Sequence, residues 1–73
     1  VYSREVLKRA LALNATALII AHNHPSGDPS PSKADIEMTY KLRDLAKSFN
    51  IALHDYLIIA RGEVLSFKSQ GLL

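Results

Sequence analysis

The sequence predicts an α/β domain, a sheet flanked by helices, and three observations carry that prediction. The apolar run Thr16-Ala17-Leu18-Ile19-Ile20-Ala21 reads as a buried strand. Residues 32–50 instead repeat apolar side chains at helical steps. Residues 51–60 return to a strand pattern, so with a helix at the start the order is α-β-α-β-β.

Taken in order, residues 3–13 form the first predicted helix. Ser3 is its expected N-cap, and Val6, Leu7, Ala10 and Leu11 make its apolar stripe. Arg4, Glu5, Lys8 and Arg9 lie largely off that stripe and read as a solvated face, with phosphate or partner binding as the sharper alternative. Asn14 suits a left-handed helix end. The first strand follows over residues 16–22. The second helix spans 32–50, with Met38, Leu42, Leu45 and Phe49 as a core stripe, Ala46 beside it, and Lys41, Arg43, Asp44 and Lys47 facing elsewhere. Residues 51–60 make a strand centred on Leu57-Ile58-Ile59. Arg61-Gly62 turns the chain, and 63–67 pair back as a short hairpin arm. The tail to Leu73 carries no signal.

At 73 residues, 48% of them hydrophobic, the chain is one domain or less. It has no cysteine, which excludes disulfides and thiolate zinc sites and fits a cytoplasmic setting. Its net charge of +2, without a block of five or more Lys/Arg, gives no argument for nucleic acid. No apolar stretch approaches the ~18 residues of a membrane span. Internal repeats are absent.

The chemistry concentrates between the first strand and the second helix. Residues i and i+2 of a strand share a face, so His22 and His24 project together, roughly 6.6 Å apart along the strand. Pro25 holds His24 in extended geometry. All three prolines (Pro25, Pro29, Pro31) and Gly27 lie between the histidines and the helix, a stiff turning loop able to bring Asp35 beneath the imidazoles. Two imidazoles and a carboxylate suit Zn2+, and three protein ligands leave a fourth position open, as catalytic zinc sites do. A plainer reading stands beside this one: Ser32 as N-cap with acidic Asp35 in the first turn is an ordinary helix opening, and His-x-His an ordinary polar strand end. The two readings are compatible, because a capped helix start can present Asp35. The helix N-terminus slightly opposes a cation there and favours an oxyanion.

His22-x-His24-Pro25, the segment 25–31, and Ser32-x-x-Asp35 together resemble the JAMM (MPN-plus) metalloprotease signature. The wording His24-Pro25-Ser26-Gly27-Asp28-Pro29-Ser30-Pro31-Ser32 resembles its bacterial RadC-like branch. Arg4-Glu5-Val6 and Asp55 before an apolar strand extend the resemblance over nearly the whole chain, residues 1–73 as a single RadC-like JAB/MPN domain. The resemblance implies a cytidine-deaminase-like three-layer sandwich, zinc held by His22, His24 and Asp35, and Ser32 stabilising the oxyanion of a tetrahedral intermediate. It also implies a zinc-activated water attacking a peptide or isopeptide carbonyl, with a glutamate from an earlier strand as general base. The acid upstream of His22 is Glu5 alone, in a helical segment, and it is not assigned that role. The expectation is therefore a fragment lacking N-terminal strands and the general base.

Deaminase chemistry is not supported, since the chain has no His-x-Glu or Pro-Cys-x-x-Cys set. Nor is His22-Asn23-His24 an HNH nuclease site. Where the RadC-like pattern has Asp-His, this chain has Asp55-Tyr56. Asp55 reads either as an acceptor orienting a zinc histidine or as an ordinary strand-end residue, and His54 as the latter. The functional expectation is a zinc metallopeptidase or isopeptidase acting on peptide or protein. The alternative is a non-catalytic binding module associated with DNA repair, whose DNA binding the charge does not support.

Overall fold

The computed structural model describes residues 3–25 and 27–73, with Ser3 as backbone only. The elements are α1 (Ser3–Ala12), β1 (Ala17–Asn23), α2 (Lys33–Ser48), β2 (Ala52–Ala60) and β3 (Glu63–Ser66). The order matches the predicted one, with boundaries moved by one or two residues. The capping role expected of Ser3 concerns a side chain outside the described set.

Helix α1 buries Leu7 and Ala10 and exposes Arg4, Glu5, Lys8 and Arg9. It ends at Asn14, which adopts the left-handed conformation at φ 55°. Helix α2 opens on Ser32 and closes where the Phe49 N–H donates to the carbonyls of Ala46 and Lys47. The hairpin turn places both Arg61 (φ 49°) and Gly62 (φ 77°) at positive φ, the geometry that matches the twist of two antiparallel strands joined by two residues.

The sheet has the order β1-β2-β3, with β1 parallel and β3 antiparallel to the central β2. Between Leu18 and Ile19 the register shifts, pairing Leu18 with Leu53 and then Ile19 with Asp55. His54 is the extra residue on β2, and the shift lets both Leu53 and Tyr56 point inward, which strict alternation forbids.

Two packed clusters hold the molecule. Leu7, Ala10, Leu42, Ala46, Ile51 and Leu53 join both helices to the sheet, with Leu18 and Ile20 packed against them. Tyr56, Ile58 and Phe67 form the second cluster, with Ile36, Met38, Leu72 and Leu73 beside it. Both helices thus lie on the face of β1 that carries Leu18 and Ile20.

Two expectations need correction. Among the described residues β1 lies at the edge of the sheet rather than buried, and Ile19, on its outer face, is 64% exposed. The stripe on α2 splits: Leu42 and Ala46 are buried, but Leu45 and Phe49 are exposed and border a groove with Leu7 and Leu11. The tail, for which the sequence carries no signal, packs on the core: the Leu72 N–H donates to the Phe67 carbonyl, and Leu72 and Leu73 cover the second cluster. The described residues form a small mixed α/β unit of two helices and a three-stranded sheet, and no helix among them is long and apolar enough to cross a membrane.

Candidate metal centre

The parallel pairing of β1 on β2 extends one residue past the strand, where the His24 N–H donates to the Ile59 carbonyl at 3.0 Å. That bond keeps His24 in the alternation of β1, so His22 and His24 share the inner face. Their rings meet edge to face with centroids 5.2 Å apart. The proline-rich loop then turns, Gly27 at φ 79° donating its N–H to the His24 carbonyl. Asp28 steadies the loop by accepting from the Ser30 N–H at 2.9 Å.

At the start of α2 the capping box is complete. Ser32 Oγ accepts from the Asp35 N–H at 3.0 Å, and Asp35 Oδ2 accepts from the Ser32 N–H at 2.9 Å. The same Oδ2 lies 2.8 Å from His24 Nε2. His22, His24 and Asp35 each present a donor atom, and these lie within 4.8 Å of one another. Ser32 is exposed and meets this group only through its two bonds with Asp35. Thr39, buried one turn on, spends its hydroxyl on the Asp35 carbonyl at 2.7 Å.

His24 is the more constrained histidine. Its Nδ1 lies 2.8 Å from the Asp28 carbonyl oxygen, which can only accept, so Nδ1 carries the hydrogen. In the neutral ring, Nε2 then turns a lone pair toward the Asp35 carboxylate. Two lone pairs at 2.8 Å require a positive charge, either a proton on the ring or a cation beside both atoms. The Asp28 carbonyl does most to raise the pKa of His24 above its ordinary value, aided by Asp35 and opposed by burial. For Asp35, burial acts upward. The hydrogen bonds from Ser32 and His24 outweigh it and hold the carboxyl below its ordinary value. The pair is 15% and 12% exposed, open enough for a ligand to reach. This donor set fits a zinc ion: two neutral nitrogens, a carboxylate, and an outer carbonyl that fixes the tautomer.

His22 has a different outer partner. Its Nδ1 lies 3.2 Å from the hydroxyl of Tyr56, which is fully buried on β2 and packed on Phe67 at a centroid distance of 5.1 Å. Burial, and secondarily the Asp35 charge, raises the pKa of the phenol, so it stays protonated. Sequence reading marked Tyr56 as a departure from the RadC-like pattern and gave it no role. The available signal was its place in step with the inward Ile58 and Ala60, because a phenol on a buried face needs a polar partner.

Asp55 takes neither role foreseen for it. It accepts from the Tyr56 N–H at 2.7 Å, the Lys68 N–H at 3.0 Å and the Ser66 hydroxyl, tying β2 to the end of β3 and touching neither histidine. Those donors outweigh burial and keep its carboxyl below the ordinary value. His54 is exposed at the register shift. Glu5 borders a surface hollow on α1 with Val6, Arg9 and Leu13, apart from the three donors.

The chain is 59% identical over 73 residues to a UPF0758 protein of Rhodobacter capsulatus, all of this chain against 34% of that protein. It is 56% identical over 73 residues to a UPF0758 protein of Ruegeria pomeroyi, covering 33% of that protein. The chain thus spans about a third of the length of these curated relatives. The family model of the RadC-like JAB domain matches residues 1–72, and on that match the chain belongs to the RadC-like JAB domain family.

Proposed function

We propose that this chain is the metal-holding part of a zinc metallohydrolase of the JAMM type, cleaving peptide or isopeptide bonds. The observation that carries the reading is the convergence of His22, His24 and Asp35, at the end of β1 and the mouth of α2. Zinc in such a site supplies a polarised carbonyl and a water of lowered pKa.

The chain's own residues do the rest. His22 and His24 offer neutral nitrogens, and Asp35 offers a carboxylate already oriented by the Ser32 N–H. Ser32 Oγ accepts from the Asp35 N–H, which leaves its hydroxyl hydrogen free to turn toward an oxyanion. No glutamate belongs to the donor group among the described residues, so the general base comes from elsewhere in the whole protein. The finer fold, a three-layer cytidine-deaminase-like sandwich, is supported by the outer face of the sheet, where Ile19 and Val64 stand 64% and 60% exposed.

The test is metal content of the whole protein, wild type and His24→Ala, by elemental analysis. About one zinc per chain, lost in the variant, is expected. Hydrolysis of peptide and isopeptide substrates should then fall with the metal. A second reading, a non-catalytic module associated with DNA repair, is favoured by the lack of a glutamate in the donor group among the described residues and by Tyr56 standing where the RadC-like pattern has histidine. It calls for metal-independent DNA binding that weakens steeply with salt.

A further inference from the structure

The geometry points to Tyr56 as a positioning residue: its buried hydroxyl stands at His22 Nδ1 as the acceptor that supports the tautomer leaving Nε2 to the metal. This rests on the zinc reading above and adds a residue to it. The two histidines are held by chemically different partners. His24 Nδ1 faces a backbone carbonyl, an obligatory acceptor, so its tautomer is set whether or not a cation is present. His22 Nδ1 faces a hydroxyl, which both donates and accepts.

With Nδ1–H donating to the phenol oxygen, His22 Nε2 is a free lone pair and a ligand. With the phenol donating instead, Nε2 carries the hydrogen and cannot ligate. Binding a cation at Nε2 therefore selects the first arrangement, and the phenol oxygen is the acceptor that stabilises it. The phenol is also rigidly placed. Tyr56 is 0% exposed, packs on Phe67, and sits on the central strand, while His22 sits on the neighbouring strand with its ring edge-on to the tyrosine ring at 6.2 Å. A side chain that only filled the core would not need a polar end at that point.

Tyr56→Phe keeps the ring and deletes the acceptor. In the whole protein, zinc affinity measured by chelator competition should fall roughly 10- to 100-fold, the usual effect of losing such an outer partner. The melting temperature of the metal-free variant should stay close to wild type. His22→Ala should abolish stoichiometric binding. By nitrogen-detected imidazole NMR, zinc-loaded wild type should show His22 as the Nδ1–H tautomer with slow hydrogen exchange, and Tyr56→Phe should lose that slow exchange while His24 keeps it. Wild-type affinity in Tyr56→Phe would overturn the inference and leave the zinc reading intact. No zinc in wild type would overturn both. If Tyr56→Phe fails to fold, the wild-type spectrum decides: an Nε2–H tautomer of His22 in the zinc-loaded protein sinks the proposal.

Discussion

Asp35 Oδ2 has two partners, the Ser32 N–H and His24 Nε2, and the second of these makes the metal-free site sensitive to pH. His24 holds its proton more tightly folded than unfolded, so its contribution is complete below the ordinary value of 6.5 and is lost as pH rises through its raised value. Asp35 is displaced the other way. Its contribution is present above 3.8 and is lost as pH falls through its lowered value. The pair therefore stabilises the metal-free protein most between 3.8 and 6.5. Zinc competes with the ring proton for Nε2, so zinc affinity should run the opposite way and weaken as pH is lowered into that window. Denaturant unfolding of the metal-free protein at about pH 5.5 and about pH 8.5 checks this: the wild type should lose stability at the higher pH, and His24→Gln should lose less.

At the scale of the element, α2 depends on a cap that is also part of the site. Ser32→Ala removes the acceptor for the Asp35 N–H and should cost about 1 kcal/mol, whereas Ser32→Gly should cost only a few tenths. Glycine therefore separates capping from chemistry. If the hydroxyl stabilises an oxyanion, Ser32→Gly should retain nearly full stability by thermal unfolding yet lose about 100-fold or more in hydrolysis rate. Equal small losses in stability and rate would reduce Ser32 to a cap. The stripe on α2 carries a second lesson. Met38, Leu42, Leu45 and Phe49 repeat at helical steps in the sequence, but α1 and the sheet cover only the side bearing Leu42 and Ala46. Periodicity locates the apolar face and does not say how wide a neighbour covers it.

Across the whole molecule, the three donors come from β1, its extension and α2, and Tyr56 adds β2. A cation held there ties β1, its extension and α2 together, so binding is coupled to folding. Zinc at 100 times its dissociation constant should add about 2.7 kcal/mol. In a protein of 150–250 residues that corresponds to a rise of roughly 5–10 °C in melting temperature. Chelation should reverse the rise in the whole wild-type protein and leave His24→Ala unmoved, as scanning calorimetry with and without chelator would reveal. Such coupling matters because the described core is small, two clusters meeting at Ile20 and Leu73.

The sequence by itself determined the element order, the Asn14 helix end, the Arg61-Gly62 turn, and the candidate ligand trio with its capping serine. These follow from interactions within a few residues: strand alternation aims His22 and His24 together, proline stiffens the loop, and a serine three residues before an aspartate closes a box. Only the tertiary structure decided what depends on neighbours distant along the chain. The register shift at His54 brings Tyr56 inward to meet His22, 34 positions away. It leaves Asp55 to bind the start of the tail instead of a histidine. Among the described residues the sheet order puts β1 at an edge, and the packing of α1 sets which half of the α2 stripe is covered. Register, partner choice and coverage are properties of how elements meet, and local periodicity carries no information about which surface arrives opposite.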